Sequence, residues 1–194
     1  MLTDAGATGG RPLAGVVAAA VEGGARAVVL REKHLPRDER AALAVTLAGL
    51  LRPVGGVVLV ASDPTIRADG VHLAAADPFP PSATGLVGRS CHSAADVARA
   101  AAEGCAYATL SPIFPTVSKP GYGPALGPAV LADHPLPVWA LGGVDASSAG
   151  ACLRAGAAGV AVMGTVMRAD DPAAVVAELC AAVASAAGPA QPLR

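Results

Sequence analysis

The stretch "LVGRSCHSAADVARAAAEGCAYATLS", Leu86 to Ser111, reads as a strand, a helix and a second strand. "LVGRS" (86–90) and "YATLS" (107–111) are short apolar runs of β character. Between them, 93–103 begins on polar residues, carries an apolar stripe and closes on Gly104, which is the pattern of a capped amphipathic helix. Two strands joined through a helix run parallel, so this unit is the repeat of an α/β fold.

The same alternation extends in both directions. Further strands are expected at 25–31, 56–61, 70–74, 137–143 and 159–163, and further helices at 12–23, 37–51, 145–155 and 171–187. With the opening unit this makes seven strands. The connections at 63–69 and 78–85 are too short for full helices. An eighth strand is needed to close a ring, and only "MLTD" at the start can supply it, so the first strand is expected to be clipped to about three residues and the seal to be weak there, unless the start codon has been assigned too late. The predicted fold is a small (β/α)₈ TIM barrel, one domain over 1–188 with a tail at 189–194. An open doubly wound sheet is the rival, but it calls for a glycine-rich phosphate loop after the first strand, and none is visible.

The chain has 194 residues, enough for one sizeable core. A net charge of −1 with 15% charged residues gives no basic footprint for nucleic acid, while leaving a small phosphorylated ligand open. No apolar stretch reaches the roughly 20 residues of a membrane span. The start, "MLTDAGATGG", lacks the cationic and apolar segments of a secretion signal, so a cytoplasmic location is expected; a homo-oligomer is compatible with the sequence. Cys91, Cys105, Cys152 and Cys180 form no CxxC pair, which argues against zinc and for reduced core cysteines. Cys91 alone has polar neighbours, and a catalytic thiol there would need a nearby base.

In a barrel of this kind the site lies at the C-terminal ends of the strands. There the sequence places Arg31, Glu32 and Lys33, Ser62 and Asp63, Asp77, Ser90 and His92, and finally Thr116, Ser118 and Lys119. Arg31 and Lys33 alternate around Glu32 and share a face in extended chain, which suits a phosphate; Glu32 itself fits a salt bridge to a barrel neighbour. Asp63 and Asp77 end successive strands, and two hard oxygen ligands beside cations suggest Mg²⁺; each also precedes proline and fits a turn cap. "ALGGV" and "VMGTV" end the last two strands with small residues, among them Gly143, Met163, Gly164 and Thr165, where loops of this barrel usually bind phosphate. "LSPIFPTVSKPGYGPALG" (110–127) is a loop shaped by proline and glycine yet polar at its centre.

Six motifs, "LREK", "DGVHL", "GRSCHS", "SPIFPTVSKPGYGPALG", "ALGGV" and "GVAVMG", occur in the order seen in the thiamine-phosphate synthase/TenI family, and the resemblance runs from Leu2 to about Leu179. It implies a (β/α)₈ barrel of thiamine biosynthesis, a transferase that joins hydroxymethylpyrimidine diphosphate to thiazole phosphate and releases pyrophosphate with Mg²⁺. By position, Arg31 and Lys33 match the family's diphosphate cations, Asp63 and Asp77 its metal ligands, and Ser90 a serine near the diphosphate. Thr116, Ser118 and Lys119 match a segment that closes on the diphosphate and the thiazole phosphate; Gly143 and 163–165 match the thiazole-phosphate end. The chain departs from the family in three places. Ser62 replaces the asparagine of an Asn-Asp pair, Ala75 replaces a glutamine, and the 63–69 segment is short. Those changes resemble the TenI branch, which implies a thiazole tautomerase; that branch, however, has a histidine where this chain has Pro112. A barrel that binds thiazole phosphate without catalysis is the third alternative.

Overall fold

The computed structural model describes residues 1–81, 85–116 and 124–187. Seven parallel strands form one sheet: β1 (Ala27–Leu30), β2 (Val57–Ala61), β3 (Gly70–Leu73), β4 (Leu86–Cys91), β5 (Tyr107–Leu110), β6 (Val138–Leu141) and β7 (Gly159–Ala161). Their spatial order is their sequence order. The helices are α1 (Leu13–Glu22), α2 (Arg37–Leu51), α3 (Ala94–Ala102), α4 (Ala146–Arg154), the single turn α5 (Gly164–Met167) and α6 (Pro172–Ala187). All seven expected strands and all five expected helices are present. Among the described residues no helix joins β2 to β3 or β3 to β4. The expected tail lies outside the described residues.

Residues 1–3 take the place of the expected eighth strand. Leu2 pairs in parallel with Val29, its N–H donates to the Val162 carbonyl at 2.9 Å, and Val29 N–H and Thr3 N–H complete the pairing with β1 at 2.9 and 3.0 Å. Residues 1–3 therefore lie between β1 and the end of β7, and the curled sheet closes there into a TIM-barrel-like ring. The alternation of side chains along each strand divides the core in two. Val28, Leu30, Val58, Val60, Val71 and Leu73 belong to the large cluster that packs under the helices. Leu2, Val29, Leu59, Ala61 and Ala161 form a smaller cluster of their own.

The opening unit shows how the local chemistry works. The Ser93 hydroxyl accepts the Asp96 N–H at 3.1 Å and starts α3, while Gly104 ends the turn after it at φ +92°, a conformation that disfavours a side chain. Register then builds the interior. His72 on β3 pairs with Gly88 on β4, and Gly88 pairs with Tyr107 on β5. A Cβ on Gly88 would stand 2.1 Å from the Tyr107 ring. Because residue 88 has none, Tyr107 lies across β4 and stacks on His72, ring centroids 5.6 Å apart.

Candidate active site

The end of β1 delivers two cations and one buried carboxylate. Arg31 directs Nη1 to the Thr3 carbonyl at 3.4 Å and to the Met163 sulfur, toward the last strand. Lys33 is exposed and donates to Ser62 Oγ at 2.7 Å, toward β2. The two cations thus start on one face and diverge to opposite neighbours. Glu32 corrects an expectation: its carboxylate is 3% exposed and both oxygens accept the Ala5 N–H, at 3.2 and 3.1 Å. The His34 ring lies 4.0 Å from it. Glu32 therefore fastens the turn at 5–7 instead of pairing with a barrel cation.

The ends of β2 and β3 meet at Ser62. This residue sits at φ +60°, its N–H donates to the His72 carbonyl at 3.0 Å, and its hydroxyl is among the groups that hold the Asp77 carboxyl pKa down. Lys33, Ser62 and Asp77 thereby join three successive loops. Asp63 Oδ1 accepts the Thr65 N–H at 3.0 Å and the Thr65 hydroxyl at 2.6 Å, so the expected turn cap exists; its other oxygen faces Arg40 at 3.9 Å. Asp77 Oδ2 accepts the Ala74 N–H at 2.7 Å, reaching back along the chain and not forward into the next turn. Burial alone would raise both carboxyl pKa values. For Asp63 the Thr65 bonds, Arg40 and Arg37 outweigh it, and for Asp77 the Ser62 and Ala74 bonds, Lys33 and Arg89 do, so both are held below the usual carboxylate range.

Those carboxylates could hold a metal only if it needs few protein ligands. Among the described residues no group of three or more His, Cys, Asp or Glu side chains could cage an ion. Mg²⁺ commonly takes only one or two carboxylates and completes its shell with water and substrate phosphate. Two ionised aspartates, each with one oxygen committed to its own turn, suit an ion that arrives with a diphosphate.

Inside the ring, Ser90 Oγ lies 3.0 Å from His72 Nε2, and His72 Nδ1 lies 2.9 Å from the Tyr107 hydroxyl. Burial, then the charges of Lys33, Arg31 and Arg89, push the His72 pKa down to about 4. At neutral pH this imidazole is uncharged and orients the Ser90 hydroxyl. Cys91 is fully buried, and burial followed by Asp96 pushes its thiol up to about 12; it is no nucleophile. His92 turns the other way, with Nδ1 2.8 Å from the Ser111 carbonyl.

At the far side of the rim, Gly142 and Gly143 have φ +91° and +66°. A Cβ on Gly143 would stand 2.4 Å from the Pro115 carbonyl oxygen and 2.7 Å from Phe114 Cβ. This pair seats the start of the loop after β5, where Phe114 N–H donates to the Gly142 carbonyl at 2.9 Å. Thr116, half-buried, lies at that start; Ser118 and Lys119 lie outside the described residues. Thr165 Oγ1 donates to the Val144 carbonyl at 3.1 Å, tying the turn after β7 to the one after β6. Met163 stands beside it with its sulfur against Arg31, and Gly164 lies against the Arg168 guanidinium.

Three residues escaped the sequence reading. His72 sat inside a recognisable motif without a role. Arg40 and Arg89 are 8% and 1% exposed, and both bond the loops that carry the aspartates. The signal for Arg89 was its spacing: it alternates with Val87 and Cys91 and therefore faces the helices.

Comparison with known proteins agrees with this geometry. The family model described as thiamine monophosphate synthase matches residues 1–166. A thiamine-phosphate synthase of Roseiflexus sp. (strain RS-1) is 36% identical over 96% of this chain and 85% of its own. That of Methanoculleus marisnigri is also 36% identical, over 96% of this chain and 95% of its own. Among solved structures, the thiamine phosphate pyrophosphorylase from Pyrococcus furiosus superposes with a TM-score of 0.84 at 28% identity, covering 96% of this chain and 95% of that one. Matched along nearly its whole length in sequence and in fold, the chain belongs to the thiamine monophosphate synthase family.

Proposed function

We propose that this protein is a transferase of thiamine biosynthesis that condenses hydroxymethylpyrimidine diphosphate with thiazole phosphate. The observation that carries the reading is the junction of Lys33, Ser62 and Asp77, with Asp63 on the adjoining loop: a cation, a hydroxyl and two ionised carboxylates gathered at one side of the rim. In the reaction the bond between the pyrimidine methylene carbon and the diphosphate oxygen breaks, a carbon–nitrogen bond forms to the thiazole, and pyrophosphate leaves with the electron pair. Asp63 and Asp77 would hold Mg²⁺ together with the diphosphate, and the ion would supply charge neutralisation at the departing oxygen. Arg31 and Lys33 add positive charge on either side of it, and the Ser90 hydroxyl, oriented by neutral His72, offers a hydrogen bond from inside the ring. The small-residue turns at Gly143 and 163–165 take the phosphate of the thiazole.

The departures from the family pattern shape the reading without reversing it. The Ser62 hydroxyl is engaged with Lys33 and Asp77, and the Ala75 carbonyl accepts Arg99 at 3.0 Å, so recognition of the pyrimidine rests on other groups. The isomerase alternative lacks its histidine at Pro112. Among the described residues no helix is long and apolar enough to cross a membrane, and the charged substrates suit a cytoplasmic enzyme. Mixing the purified protein with both substrates is expected to yield thiamine phosphate and pyrophosphate in equal amounts, with Mg²⁺ and not without it. Metal-independent isomerisation of a thiazole phosphate, with no condensation, would replace this reading by the isomerase.

A further inference from the structure

We propose that Arg89 and Arg40 are positioning residues, which set Asp77 and Asp63 at the rim by holding the loops that carry them; the inference rests on the metal role proposed for those aspartates. In a βα unit the helix that follows a strand normally anchors the loop between them. Neither the Asp63 loop nor the Asp77 loop has such a helix among the described residues. Each has instead a buried guanidinium from an adjoining element.

Arg89 projects from the outer face of β4. Its Nη1 donates to the carbonyls of Ala74, Ala75 and Asp77 at 3.0, 3.3 and 2.7 Å, the whole turn that ends on the Asp77 carboxylate. Its Nη2 pairs with Glu103, which caps the C-terminus of α3. Arg40, on α2, donates from Nη2 to the carbonyl of Ala61 at 2.6 Å, the last residue of β2, and its Nη1 stands 3.9 Å from Asp63 Oδ2. Both side chains keep a buried Nε without a partner among the described residues. A buried cation with an unused donor is a poor way to fill a core, since an apolar side chain of similar size does so without desolvation. What an apolar side chain cannot do is gather several carbonyls at fixed spacing, and the planar fork of arginine does.

The test separates this role from general stability. Initial rates with both organic substrates saturating are titrated with Mg²⁺, and Mn²⁺ binding in the presence of pyrophosphate is followed by electron paramagnetic resonance. Arg89→Met is expected to raise the apparent KM for Mg²⁺ and the Kd for Mn²⁺ by about 10–100-fold, the scale found when a partner of a metal ligand is removed. The KM for thiazole phosphate should stay within about twofold. Arg89→Lys should recover part of the loss, and Glu103→Gln should show a smaller shift of the same kind. If Arg89→Met does not fold, Arg89→Lys, Glu103→Gln and Arg40→Lys decide the matter by the same readouts. Unchanged metal affinity in these variants, or an equal loss in the thiazole-phosphate KM, overturns the proposal while leaving the metal reading intact. A wild-type enzyme indifferent to Mg²⁺ overturns the metal reading first.

Discussion

Asp77→Asn is expected to lower kcat/KM for the condensation by about 10³-fold while the protein keeps its fold. The scale follows from the several kcal/mol that a bound metal supplies to a departing oxyanion, at 1.36 kcal/mol for each factor of ten. Asparagine keeps the shape, and its side-chain oxygen still accepts the Ala74 N–H, so the turn at 74–77 survives. What is lost is the charge, and with it one of two hard ligands. Asp63→Ala should act similarly in rate but cost some stability as well, because the Thr65 N–H and hydroxyl lose their acceptor. Steady-state rates across an Mg²⁺ titration, with circular dichroism as the control on folding, provide the check. Full activity in both variants would remove the aspartates from the mechanism.

The second large effect is expected at Lys119, in the segment that the family resemblance assigns to the diphosphate. A cation that meets the leaving group mainly as its bond breaks acts on rate, so Lys119→Ala should lower kcat far more than it raises KM. Removing one such stabiliser typically costs roughly 2.7–4 kcal/mol, or about 10²–10³ in kcat. Thr116→Ala should cost less, since a neutral hydroxyl makes weaker hydrogen bonds than a charged donor. Single-turnover measurements distinguish this from slow product release. A Lys119→Ala enzyme with wild-type kcat means that the lysine is only a solvated charge.

The fold was legible because short unbroken apolar runs alternate with longer helical stretches, and such a pattern has one economical closure. Rim residues were legible for the same reason: once strand ends are known, Arg31, Lys33, Asp63 and Asp77 follow by position. Partnerships across the ring were not. For Glu32 a salt bridge to a barrel neighbour was one of the readings left open, because the sequence cannot show that the Ala5 amide folds back over it. Arg40 lies in "RDERAAL", which resembles an ordinary solvated first turn of a helix; only packing reveals that it points inward to Ala61. His72 and Tyr107 meet because register aligns both with Gly88, and register is a property of three strands at once.

The closure at residues 1–3 has a bearing on how the barrel assembles. Every other neighbouring pair of strands is consecutive along the chain, so each can form with a modest loss of loop entropy. The join between Leu2 and Val162 spans almost the entire sequence and rests, among the described residues, on a single backbone hydrogen bond. The largest entropic penalty thus falls where the least hydrogen bonding is available to offset it. That seam should be the last part of the sheet to form and the first to breathe, with the Leu2 amide exchanging its hydrogen well before the amides shared by β3 and β4. Equal protection at both places would mean that the ring closes cooperatively, as one unit with the rest of the sheet.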